Sequence, residues 1–157
     1  MTKKEQIINC MTPLVDALNK ADPQWAIFGS AALVLCGMDM PVSDIDIILS
    51  RQAAQRLEQE WQKEGVVLPM NKEKSATESL FRSHLVRCNA SGIMVELSGS
   101  LEILKEGRWL PVRPQKVITD SNGIRFCSLA ECKWLLKLFA RPKDLLRLKE
   151  IEDAYRT

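Results

Sequence analysis

The chain has 157 residues, 46% of them apolar and 27% charged, with a formal charge of +2. That length suits one domain with a substantial core, and the composition excludes a disordered or low-complexity protein. The small net charge leaves only a local basic face as an argument for nucleic acid, no apolar run nears the roughly 18 residues of a membrane span, and the opening MTKKEQIINCMTPLVDALNK is too polar for a secretory signal.

Residues 3–20 are predicted as helix, with Ile7, Met11, Leu14 and Leu18 recurring every three or four positions. Thr12-Pro13 offers a cap and a first-turn proline, so the stretch reads as two short helices or one kinked helix, ended by Asp22-Pro23. WAIFG (25–29) fits a buried strand. Ser30 is expected to cap a short helix reaching about Cys36, with Gly37 as its stop. SDIDIILS (43–50) is the next strand, followed by a helix over about 52–63 with Ala54, Leu57 and Trp61 on one face.

VVLP (66–69), SLFRSHLVRC (79–88) and GIMVELSG (92–99) read as strands, the last two joined by the hairpin turn NASG. RWLPVRPQKVI (108–118) and IRFCS (124–128) are weaker strand predictions around the turn DSNG. Ser128 and Glu131 form an S-x-x-E capping box for a helix to about Ala140. Pro142 opens a last helix with Leu145, Leu148, Ile151 and Tyr155 on one side. The expectation is a single α/β (α+β) domain over 1–157, with a core over about 20–127 and C-terminal helices over about 128–156.

Two aspartates inside an apolar strand need a reason. Alternate strand residues share a face, so Asp44, Asp46 and Ile48 point one way and Ile45, Ile47 and Leu49 the other. The two carboxylates lie about 6–7 Å apart by strand rise. Unpaired, each raises the other's pKa, and burial raises both. A divalent cation removes the conflict, and Mg²⁺, a hard ion, takes oxygen ligands while keeping waters that substrate phosphates replace. Glu96 is a second acid among apolar neighbours, Met94, Val95 and Leu97. Three carboxylates on neighbouring strands suit a two-metal site; alternatively Glu96 is the base that deprotonates an acceptor hydroxyl.

A lone D-x-D is common and often marks only a turn or a salt-bridged edge strand. The Gly-Ser ahead of it carries the reading further: Gly29 lets a backbone approach a phosphate, and Ser30 adds a hydroxyl at a helix start. The five cysteines, Cys10, Cys36, Cys88, Cys127 and Cys132, include no C-x-x-C pair and read as free thiols of a reducing cytoplasm. With His84 the one histidine, read as an ordinary strand residue, zinc and Ser-His-Asp or Cys-His chemistry have little support.

Gly29-Ser30, thirteen residues, then Asp44-Ile45-Asp46 resembles the signature of the nucleotidyltransferase superfamily, whose fold is shared with DNA polymerase beta. The resemblance implies a mixed, mostly antiparallel sheet flanked by helices. It also implies transfer of a nucleoside monophosphate from an NTP to an acceptor with release of pyrophosphate. Asp44, Asp46 and Glu96 would hold Mg²⁺, and Gly29 and Ser30 would hold phosphates. The tail KWLLKLFARPKDLLRLKEIE is similar to the Lys-bearing helix and R-x-K-D segment of the small prokaryotic branch. That branch includes aminoglycoside and lincosamide nucleotidyltransferases, antitoxin-type enzymes and tRNA-modifying abortive-infection toxins. Lys133, Lys137 and Lys143 would then contact the triphosphate, with Lys133, Lys137 and Arg141 forming one cationic ridge. Asp144 equally suits a helix-start acid. Met40 and Val42 stand where relatives of the toxin branch carry Arg and Thr, and the third acid is Glu rather than Asp.

The partners implied are an NTP and an acceptor that is a small molecule, a tRNA or a protein, with no membrane. A homodimer through the edge strands around RWLPVRP would supply the acceptor-holding surface. The rival expectation is a non-catalytic antitoxin or partner-binding module on the same fold.

Overall fold

The computed structural model describes residues 1–68 and 80–156. The elements run α1 (Lys3–Met11), a 3₁₀ turn (Thr12–Leu14), α2 (Val15–Ala21), β1 (Ala26–Phe28), α3 (Gly29–Leu35), β2 (Asp44–Leu49), α4 (Arg51–Lys63) and β3 (Val67–Leu68). They continue with β4 (Phe81–Ala90), β5 (Ile93–Lys105), β6 (Arg108–Pro111), β7 (Val117–Thr119), β8 (Arg125–Cys127), α5 (Leu129–Phe139) and α6 (Pro142–Ala154). Pro69 and Ser79, at the ends of two predicted strands, lie outside the described residues.

The strand order is β3-β4-β5-β2-β1-β8-β7, with β6 attached to β5. β2 runs parallel to β5 and β1 parallel to β8; the other pairings are antiparallel, giving the mixed, mostly antiparallel sheet that the resemblance implied. β2 sits in the middle and is apolar on both faces beyond its aspartates, with Ile45, Ile47, Ile48 and Leu49 all buried. α4 lies over β4 and β5 and packs on α2, while α3 contacts β1, β2, α1 and α5. No helix among the described residues is long and apolar enough to cross a membrane.

Local chemistry explains most of the elements. The first helix breaks where Pro13 and Thr12 fall, and Thr12 Oγ1 donates to the Ile8 carbonyl at 2.6 Å instead of capping. Ser50 caps α4 by accepting from Ala53 N, and Ala53, Ala54, Leu57 and Trp61 bury the predicted face. Ser91 and Gly92 both have positive φ, as a two-residue type I′ turn requires, and so fix the β4–β5 register from Ala90↔Ile93 outward.

Five expectations need correction. Ser30 does not cap α3: Phe28 is the extended N-cap residue, and the helix begins at Gly29, whose φ of +74° makes the sharp strand-to-helix turn. β5 does not stop at Gly99 but runs to Lys105; Ser100 at φ +52° interrupts the alternation without ending the strand, and the Glu106-Gly107 turn then leads into β6. RWLPVRPQKVI divides into β6 and β7 around residues 112–116. The capping box at α5 is half formed: Ser128 accepts from Glu131 N at 3.2 Å, but the Glu131 carboxylate turns away to accept from Gln115 N at 2.7 Å.

The fifth correction concerns α6. Its buried side is Asp144 and Ile151, with Arg147 and Leu148 partly covered, whereas Leu145 is 50% and Tyr155 50% exposed. The helix is turned so that a charged residue takes an inward position. Asp144 can take it because Arg141 grips it through Nε to Oδ2 at 2.6 Å and Nη2 to Oδ1 at 3.0 Å.

Candidate active site

One register row crosses the middle of the sheet. Phe28 of β1 faces Asp46 of β2, Asp46 faces Glu96 of β5, and Glu96 faces Arg87 of β4. The parallel β2–β5 pairing brings the acid of D-x-D beside the acid of IMVEL, and the hairpin register adds the guanidinium. Arg87 Nε lies 3.3 Å from Glu96 Oε1, both side chains about one-fifth exposed, and this buried nitrogen has no aligned hydrogen-bond acceptor among the described residues. Asp44, two residues along, pairs in register with Met94 and shares the Asp46 face.

Asp46 is the electrostatic centre of the row. Burial first, then the charge of Glu96, a hydrogen bond with Glu96 and the charge of Asp44 push its carboxyl up from the ordinary 3.8 to about 7; Lys143 pulls it down. Burial and two neighbouring carboxylates thus both favour the protonated form of Asp46. Gly29 closes in on the same carboxylate: a Cβ there would lie 3.3 Å from Asp46 Oδ2. The turn thus places its bare backbone against the acid.

A cavity of about 210 Å³ opens beside this point, lined among others by Gly29, Ser30, Asp46, Arg141, Lys143 and Arg147. Its far wall is the Cys132, Leu135, Leu136 and Phe139 side of α5. A larger groove of about 920 Å³ lies at the other end of the strands, against Ile48, Leu49, Ser50 and Ser100, and holds none of the expected site residues. The smaller cavity has the chemistry, so we place the site there.

The structure gathers the expected residues unequally. Gly29, Ser30, Asp46 and Lys143 share the cavity; Asp44 and Glu96 adjoin Asp46 through the sheet. Lys133 and Lys137 do not line the cavity, because α5 presents its 132, 135, 136 and 139 face to it. Nor is there one cationic ridge, since α5 ends at Phe139 with Ala140 in the left-handed conformation and Arg141 opens the next helix. Arg141 is committed to Asp144 and stacks over Phe81 and Phe139, 4.9 and 5.7 Å from the ring centroids. Asp144 is accordingly a helix-start acid, and its carboxylate also accepts from the Arg141 backbone N–H at 3.1 Å.

Two cations escaped the sequence reading. Arg147 lines the cavity, with Nη1 3.2 Å from Met40 Sδ and Nε 3.4 Å from Glu150. Nothing in the sequence pairs it with Met40. Arg87 was legible, because counting outward from the NASG turn puts it opposite Glu96. His84, read as an ordinary strand residue, meets Glu58 of α4 through Nε2 at 2.9 Å, where the β4–β5 register shifts.

Among the described residues no three Asp, Glu, His or Cys side chains converge as a ready-made metal cage. The donor set nonetheless fits Mg²⁺, which is held by one or two carboxylates and completed by waters and substrate phosphates. Asp44 and Asp46 would supply the oxygens. A cation there would offset the burial and like-charge repulsion that push the Asp46 carboxyl up.

In fold the chain is similar to TM1012 of Thermotoga maritima, whose nucleotidyltransferase activity is itself an assignment; the TM-score is 0.66 at 24% identity, covering 98% of this chain and 96% of that one. Weaker likenesses, which carry no argument, are to JHP933 of Helicobacter pylori (TM-score 0.46, 16% identity, 96% and 68% covered) and the Megavirus polyadenylate synthase (TM-score 0.40, 10% identity, 94% and 32% covered). No curated protein matches the chain. The family model for aminoglycoside-2''-adenylyltransferase matches residues 11–124, from the end of α1 to the residue before β8, and so includes Gly29, Ser30, Asp44, Asp46 and Glu96. The chain therefore belongs to the aminoglycoside-2''-adenylyltransferase family, within the nucleotidyltransferase superfamily.

Proposed function

We propose that the protein moves a nucleoside monophosphate from an NTP to a hydroxyl acceptor and releases pyrophosphate. The observation that carries this reading is Asp46, in register with Glu96 and pressed against the Gly29 backbone at the edge of a cationic cavity. Asp44 and Asp46 would hold Mg²⁺, with Glu96 either completing the metal site or accepting the acceptor's proton. When bound, the ion would neutralise phosphate charge and polarise the reacting phosphoryl group.

The remaining work belongs to the chain itself. Gly29 offers backbone without side-chain obstruction, and Ser30 offers its hydroxyl to phosphate oxygens. Lys143 and Arg147 add positive charge from α6, which favours the pyrophosphate leaving group; Lys133 and Lys137 contribute only at longer range. Arg87, with Nε 3.3 Å from Glu96 Oε1, sets a positive charge beside that carboxylate. Arg141 and Asp144 hold the first turn of α6, and with it Lys143, at the cavity.

The family description makes ATP the first nucleotide and an aminoglycoside hydroxyl the first acceptor to try. The test is calorimetric titration of each NTP with and without Mg²⁺, followed by mass spectrometry of acceptors incubated with the protein. Mg²⁺-dependent binding and an acceptor carrying one nucleotidyl group are expected. Binding without transfer to any acceptor, or no nucleotide binding at all, would overturn the transfer reading and favour the non-catalytic partner module.

A further inference from the structure

Three of the five cysteines meet at the α5 wall of the cavity. Cys36 is the C-cap of α3, Cys127 ends β8, and Cys132 lies near the start of α5. The Cys36 and Cys132 thiols both donate to the Cys127 carbonyl oxygen, at 3.5 and 3.6 Å. The two side chains also lie within hydrogen-bond reach of each other, although they come from residues far apart in the chain. Cys36 is also the one cysteine of the five that is partly exposed; the others are buried.

We propose that Cys36 and Cys132 form a reactive dithiol, a modification site at which a low-molecular-weight disulfide is reduced and an intramolecular Cys36–Cys132 bond is made. Their surroundings give the two sulfurs different parts. A hydrogen bond from Cys132 favours the Cys36 thiolate and lowers its pKa from 9.0 against the effect of burial, with Lys4 adding a favourable charge. The same hydrogen bond first, then burial and the charges of Cys127, Cys36 and Glu131, pushes Cys132 up. Burial holds Cys10 at about 11 and raises Cys88 and Cys127 to about 12, so these three are poor nucleophiles.

The exchange balances. The Cys36 thiolate attacks one sulfur of the small disulfide, forms a mixed disulfide and expels one thiolate, which takes up a proton. Cys36 is then neutral, so the hydrogen bond and charge that kept Cys132 protonated are gone. Cys132 gives up its proton and displaces the second thiolate. The protein has lost two hydrogens and the small disulfide has become two thiols. The new bond ties α3, which opens on Gly29 and Ser30, to α5, and Cys132 itself lines the cavity. Two of its walls become covalently joined. This chemistry is independent of nucleotidyl transfer.

The test incubates the reduced full chain with oxidised glutathione, blocks the remaining thiols and digests without reductant. The expected product has lost two hydrogens, keeps no glutathione and yields a cross-linked peptide pair. Trypsin leaves Cys127 and Cys132 on one peptide, FCSLAECK, so fragmentation between them assigns the link. Cys132→Ser should stop at one glutathione on Cys36, and Cys36→Ser should slow the reaction about tenfold or more. A link to Cys127, no link, or an unmodified Cys36 in the Cys132→Ser protein overturns the proposal.

Discussion

Replacing Asp46 by asparagine removes a carboxylate whose ionisation the fold resists, and the cost of that ionisation is measurable. The folded pKa is about 7 against an ordinary 3.8, raised first by burial and then by Glu96 and Asp44. Between those values the folded protein holds a proton that the unfolded chain has released, so the metal-free protein loses stability as pH rises through the window. The contribution is whole below the unfolded value and gone above the folded one. A gap of about three units corresponds to about 4 kcal/mol at full effect, of which the part of the window above pH 5 carries about 2–3 kcal/mol. The asparagine side chain keeps a hydrogen-bond donor for Glu96 and carries no charge. Urea unfolding in the presence of a chelator, from about pH 5 to about pH 8, should show the wild type falling by that amount relative to Asp46→Asn. Mg²⁺ should restore the wild type and leave the variant unchanged. A difference between the two proteins that is flat with pH would refute the reasoning.

Gly29→Ala places a Cβ 3.3 Å from Asp46 Oδ2 on a residue at φ +74°, and should cost about 1–2 kcal/mol in thermal unfolding while weakening nucleotide binding. Asp144→Ala leaves Arg141 without its bidentate partner at a position only 4% exposed; urea unfolding should show a loss of about 2 kcal/mol, and activity should fall with the displaced Lys143. Gly99→Ala drives a Cβ to 2.8 Å from Ala54 Cβ and 3.0 Å from Arg51 Cα, so chemical denaturation should register about 1–3 kcal/mol of overpacking with little effect on the site.

The features that make the site were legible wherever the chemistry is local. The D-x-D strand, the Gly-Ser before it and the Ser91-Gly92 turn each announce themselves within a few residues; the structure puts the first and last in the expected elements, while Gly29 opens α3 instead of ending β1. What the sequence could not supply was the parallel pairing of β2 with β5, because parallel register is set by no turn. Hence Glu96 was legible as a candidate but its position opposite Asp46 was not. The leucines of α6 misled for a related reason: periodicity marks a face as apolar, while the Arg141–Asp144 pair shows that a compensated charge can take the inward position instead. Lys133 and Lys137 have helical spacing, yet the left-handed Ala140 separates them from Arg141 and the α5 face toward the cavity is apolar. Arg147 reaches the cavity by resting on Met40, a contact across more than a hundred residues of sequence that no spacing rule contains.

Asp44 and Asp46 are proposed to serve a metal-bound nucleotide, and Asp44→Asn tests that role most directly. Asp44 lies at the start of β2 and is only partly buried, so the substitution should leave the fold and its unfolding midpoint nearly unchanged. The measurement is the rate of pyrophosphate release from ATP with Mg²⁺ and an aminoglycoside acceptor, wild type against variant. A loss of at least about a hundredfold in the variant, with the folded protein intact, is predicted. Wild-type turnover in Asp44→Asn would contradict a metal-binding role for the D-x-D pair.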